Sequence, residues 1–85
     1  EISKLKLRNV NFLCKDIESY NSNLFVKVRS TGILLKARIL LNKNNAEITL
    51  ENKEAGISAG QACVFYSTNS FGDKVLGGGW IDGNY

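Results

Sequence analysis

The sequence predicts an all-β fold, a small antiparallel six-stranded β-barrel, and three observations lead there. Short runs of period-2 apolar alternation recur along the chain. Clusters of Asn, Ser, Gly and Asp separate them at close, regular spacing, without a single proline. No window keeps an i, i+3, i+4 apolar stripe long enough for a helix. Eighty-five residues make one domain with a single core, which buries roughly 60% of the unfolded surface. An open sheet of this size would leave long unpaired edges, so closure into a barrel is favoured.

Lys4, Lys6 and Arg8 alternate with Leu5 and Leu7, and Val10, Phe12 and Cys14 continue in the opposite phase. That phase change predicts a bulge near Arg8-Asn9. After the break Tyr20-Asn21-Ser22-Asn23, Leu24, Val26 and Val28 alternate with Phe25, Lys27 and Arg29. Beyond Thr31-Gly32, Leu35, Ala37, Ile39 and Leu41 alternate with Lys36, Arg38 and Leu40. The cluster Asn42-Lys43-Asn44-Asn45 predicts a turn, followed by Ala46, Ile48 and Leu50 against Glu47, Thr49 and Glu51. A further break runs from Asn52 to Gly56. The last two strands are Gln61 to Tyr66 and Lys74 to Ile81, joined by the polar stretch from Ser67 to Asp73. Gly77-Gly78-Gly79 falls inside the final strand. A phosphate cradle would need a following Lys-Ser/Thr and a helix, so the triplet reads as a bulge or a close approach of another backbone.

With no histidine and two cysteines, the chain cannot build a Ser-His-Asp or Cys-His arrangement, a disulfide framework or a four-ligand zinc site. Cys14 and Cys63 are expected as reduced, core or half-buried residues. The carboxylates fall in turns or on outward strand faces. No catalytic, cofactor-binding or metal-binding residue is therefore expected. A net charge of +3 and pI near 9.0 are compatible with an anionic partner. The basic residues share the face opposite the apolar one: Lys4, Lys6 and Arg8, then Lys27 and Arg29 beside Phe25, then Lys36 and Arg38. If those strands are neighbours, they form a positive stripe suited to phosphate contacts and base stacking. If Lys36 and Arg38 pair across strands with Glu47 and Glu51, they form an ordinary solvated face. Arg29 and Gln61 either reach water and cap a turn, or donate to phosphate and ribose oxygens. No apolar run approaches the roughly 20 residues of a membrane span, and a cytoplasmic protein without a membrane partner is expected. The absence of methionine, even at position 1, reads as a piece of a larger protein.

One segment is specific enough to point to a family. Ile57-Ser58-Ala59-Gly60-Gln61-Ala62-Cys63-Val64-Phe65-Tyr66, followed by Val75-Leu76-Gly77-Gly78-Gly79-Trp80-Ile81, resembles the end of bacterial tRNA-specific 2-thiouridylases. Phe25-Val26-Lys27-Val28-Arg29-Ser30 is similar to that family's Val-Lys-x-Arg strand, and Val10-Asn11-Phe12 to its Val-Asn-Trp opening. The resemblance implies that residues 1–85 are a C-terminal β-barrel. In such an enzyme an N-terminal ATP-pyrophosphatase domain and a central domain precede it in the same chain. It implies that ATP adenylates the C2 oxygen of the wobble uridine. A persulfide sulfur from a cysteine-desulfurase relay then displaces AMP to give 2-thiouridine. This chain holds neither the ATP loop nor the catalytic cysteines, so alone it is expected to be inert and to bind no cofactor. By the resemblance, the tRNA contacts fall on Arg29, Ser30 and Gln61, with Ser30 where the family often has tyrosine. Ala59 stands where the family has proline, which leaves the turn before Gln61 less pre-set. Two other readings stay open: a purely structural barrel that stabilises the parent enzyme, and an unrelated translation-factor-like RNA-binding or small-molecule-binding barrel.

Overall fold

A computed structural model describes residues 2–28, 32–43, 45–54 and 56–84. The strands are β1 (Ile2–Phe12), β2 (Leu24–Lys27), β3 (Leu35–Asn42), β4 (Asn45–Glu54), β5 (Ala62–Asn69) and β6 (Gly72–Asn84). They close a barrel in the order β1-β4-β3-β2-β5-β6, with every neighbouring pair antiparallel. The expected six-stranded barrel is the observed fold. Among the described residues the one helical element is a 3-10 turn, Ile17–Tyr20, and no helix is long and apolar enough to cross a membrane.

Alternation sets what faces inward. On β4, Ala46, Ile48 and Leu50 are buried while Glu47, Thr49 and Glu51 are exposed. Leu5, Leu7, Leu24, Val26, Ala37, Ile39, Cys63, Phe65, Leu76 and Ile81 join them in the interior from the other strands. The ring of Phe12 stacks on that of Phe65 at 5.8 Å between centroids. Removing Phe65 to alanine would cost about 3–5 kcal/mol, the usual figure for a filled aromatic site.

The bulge expected near Arg8-Asn9 is present. Arg8 pairs with Trp80 but Asn11 pairs with Gly78, so β1 carries one extra residue between them. Asn9 there has φ 53, a left-handed conformation that asparagine tolerates better than most residues. The insertion turns Val10 and Phe12 back toward the core, which is the phase change visible in the sequence. Beyond Phe12 the chain leaves the sheet, so Cys14 does not extend β1. The tight β3–β4 connection uses Lys43 at φ 60. The β5–β6 connection pairs Asn69 with Gly72, and Phe71 N donates to Asn69 Oδ1 at 2.8 Å.

The glycine triplet is a packing device. A Cβ on Gly77, at φ 151, would lie 2.3 Å from the carbonyl oxygen of Asn11. One on Gly78 would lie 2.9 Å from that of Cys63, and one on Gly79 3.2 Å from that of Arg8. β6 can therefore approach the main chains of β1 and β5 only without side chains at these positions.

β2 is too short to cover the edge of β3, pairing only Phe25 with Lys36 and Val26 with Leu35. The 3-10 segment completes the seam. Ile17 is buried beneath it, Asn21 Nδ2 donates to Ile39 O at 3.1 Å, and Ile39 N donates to Asn21 Oδ1 at 2.7 Å. Leu41 N donates to Glu18 Oε2 at 3.0 Å. One side-chain amide thus stands in for a strand residue.

Candidate nucleic-acid interface

Because side chains alternate, the positions of β2, β3 and β5 not used for the core assemble one outer face. Phe25 stands opposite Lys36 on one side and Tyr66 on the other. Lys36 Nζ lies 4.8 Å from the centroid of the Phe25 ring and donates to Ser22 O at 2.7 Å. Lys27 Nζ lies 5.5 Å from the Tyr66 ring centroid. Each ammonium is held over an aromatic face, so part of its rotamer freedom is already lost before any anion arrives. Beside them Asn21, Ser22, Lys36, Arg38, Thr49 and Glu51 line a polar hollow of about 350 Å³.

The continuous positive stripe is not formed. In the barrel β4 stands between β1 and β3, and Lys4 and Arg38 both face Thr49 from opposite sides. Lys6 stands opposite Glu47, which faces Leu40 on its other side. Arg8 lies 3.6 Å from Asp82. The cations of β1 thus belong to a mixed-charge face, and those of β2 and β3 form a separate group. Directly across from Arg38, on β4, stands Thr49, with Glu47 and Glu51 at the diagonal positions.

Of the three residues carried by the resemblance, Arg29 and Ser30 lie outside the described residues. Gln61 is described, in the turn that enters β5. Gly60 N donates to Ile81 O at 2.8 Å, and Ile81 N donates to Gln61 O at 2.8 Å. Gln61 N donates to Ser58 O at 3.4 Å, and Ser58 N donates to Gln61 Oε1 at 3.0 Å. These bonds, with Gly60 at φ 92, fix the turn that Ala59 leaves without a proline. The oxygen of the amide is used as a cap, and Nε2 makes no hydrogen bond among the described residues. β2 runs toward this end of the barrel, with Leu24 opposite Ser67 and Lys27 opposite Val64.

Tyr66 escaped the sequence reading. Its role as a rest for Lys27 depends on the pairing of the second strand with the fifth, which alternation does not reveal. Cys63 is fully buried, and desolvation pushes its thiol up from 9.0 to about 12, which disfavours the thiolate near neutral pH. Cys14 is half-buried, with Sγ 3.8 Å from Leu76 O. Among the described residues no cluster of three or more His, Cys, Asp or Glu side chains is placed to hold a metal ion.

Fold and surface define a small closed β-barrel domain with one cation-and-aromatic face. Residues 2–81 match the family described as the aminomethyltransferase β-barrel domain, and the chain belongs to that family. Its curated relatives carry the name expected from the glycine segment. The chain is 38% identical to a tRNA-specific 2-thiouridylase MnmA of Maricaulis maris, over 95% of this chain and 20% of the relative. Identity is 39% to that of Parvibaculum lavamentivorans, over 95% and 21% respectively. It is 41% to that of Ehrlichia ruminantium strain Gardel, over 93% and 21%. The chain thus spans about a fifth of the length of the relatives it matches.

Proposed function

We propose that this chain is the tRNA-binding accessory barrel of an ATP-dependent tRNA 2-thiouridylase that thiolates C2 of the wobble uridine. The observation that carries the reading is the 38–41% identity to tRNA-specific 2-thiouridylases over nearly the whole chain. The lysines resting on Phe25 and Tyr66 support it, because cations interleaved with aromatic faces suit an anionic, base-bearing partner. In this reading Arg29 makes a charge-assisted phosphate contact and Ser30 offers a hydroxyl. Gln61 donates from Nε2, the end of its amide that the turn leaves unused. Lys27, Lys36 and Arg38 supply longer-range attraction. ATP activation and sulfur delivery from a desulfurase relay belong to the rest of a cytoplasmic parent chain. The high thiol pKa of Cys63 argues against its carrying a persulfide.

The test is tRNA binding by the full-length enzyme across a salt series. Arg29→Ala should weaken binding and reduce the slope of log K against log salt by about 0.7–0.9, the loss of one phosphate contact. An unchanged slope overturns the Arg29 assignment. Gln61→Ala should weaken binding with no change of slope, since it removes a neutral donor.

A further inference from the structure

Around the glycine triplet the outer surface of β1, β5 and β6 dips into a shallow depression of about 350 Å³. Gly77, Gly78 and Gly79 make its floor, and Leu13, Val64, Val75 and Trp80 stand around it. None of the described residues lining it carries a charge. Leu13 is 71% exposed, Trp80 48% and Val75 45%. Single exposed apolar residues are ordinary, but three large ones around one floor of bare main chain mark a surface built for contact.

Resting on the reading of this chain as one domain of a larger 2-thiouridylase, we propose that this depression is the docking surface for another domain of the same polypeptide. Its apolar face would seat an aliphatic or aromatic side chain over Gly78, beside Trp80. Three features select that occupant. The chain spans only 20–21% of these relatives, so most of their polypeptide lies outside it. The depression is bounded by eleven described residues, fewer than the roughly 20–30 residues a side of a free-standing complex. Such a contact suits a partner held at high effective concentration by its own chain, and suits a second copy poorly. The absence of cations disfavours RNA, whose affinity rests on phosphate neutralisation.

Hydroxyl-radical footprinting of the full-length protein, read by mass spectrometry, tests this without any substitution. Phe71, 97% exposed at the β5–β6 turn, is the internal reference. Corrected for intrinsic reactivity, Trp80 and Leu13 should be oxidised about tenfold more slowly than Phe71, as in the water-excluded centre of an interface. Oxidation at the rate of a half-exposed side chain overturns the proposal. Protection that arises only with added tRNA overturns it in favour of an RNA contact, and protection that fades on dilution overturns it in favour of a second copy. A Leu13→Lys, Val75→Lys double variant of the full chain should restore Trp80 oxidation while Phe65 stays protected inside the barrel. Continued protection of Trp80 in that variant also overturns the proposal.

Discussion

Where β2, β3 and β5 meet solvent, the barrel wall is covered by long side chains, with Lys36 on Phe25 and Lys27 on Tyr66. Where β5, β6 and β1 meet solvent, the wall is bare main chain between Gly77 and Gly79. The first face can change without disturbing the strands beneath, because its side chains project away from them. The second face is part of the strand packing itself, since the space for a Cβ is taken by carbonyl oxygens of β1 and β5. The two faces therefore separate what a substitution does to binding from what it does to folding.

Gly77→Val should break that separation most severely. Its Cβ would meet Asn11 O at 2.3 Å, and φ 151 is a conformation that a β-branched residue rarely adopts. A loss of about 3 kcal/mol or more is expected in urea unfolding, a large share of a small domain's stability. A variant as stable as the parent would mean that β6 can move away from β1 without loss.

Cys63 lies on the same side of the comparison, behind Gly78, and gives it a pH dependence. Burial holds its thiol at about 12 in the folded chain, against 9.0 when unfolded. Below pH 9 both states carry the proton and the group has no effect on stability. Between pH 9 and 12 only the unfolded state loses it, so stability should fall by about 1.4 kcal/mol per pH unit from this group. Denaturant unfolding at pH 8, 9.5 and 10.5 checks the slope, and Cys63→Ala should remove this part of it. If both proteins lose stability in parallel, the thiol is not the cause.

Alternation along each run reported which residues face inward, and a change of its phase reported the bulge at Asn9. The glycine triplet was legible for a similar reason, because nothing but close main-chain approach explains three missing side chains in a strand. The neighbour of each strand was not legible. Period-2 patterning assigns a face but no partner, so β4 between β1 and β3 could not be foreseen, and the positive stripe assembled across them fails. Asn21 was hidden too. It sits in a polar cluster that reads as an ordinary turn, and its amide finds Ile39 only once β2 proves too short. At Gln61 the cap formed with Ser58 was one of two open readings, and the amide geometry leaves Nε2 for the other.

Asn21→Ala tests the rim of the cation-bearing face. It removes both bonds to the main chain of Ile39 and leaves a donor and an acceptor without partners. The expected cost is about 1–3 kcal/mol, with faster hydrogen exchange at the Ile39 amide. Unchanged exchange at Ile39 would show that water replaces the side chain freely.

The smallest effects belong to the lysines, and they sharpen the comparison most. Lys27→Gln and Lys36→Gln keep long side chains on Tyr66 and Phe25 but remove the charges and the cation–π contacts. Stability should change by no more than about 1 kcal/mol each, since these are exposed or half-exposed attractions. The affinity of the full-length enzyme for tRNA should fall about two- to fivefold for each, with a shallower salt dependence for the pair together. Stability and binding would thus respond in opposite proportion to Gly77→Val, where folding takes nearly the whole effect. If the lysine variants lose stability but keep the parent's salt slope, their rings and ammoniums are structural partners only. The proposed tRNA contact would then rest on the end of the barrel that carries Gln61, whose Nε2 makes no hydrogen bond among the described residues.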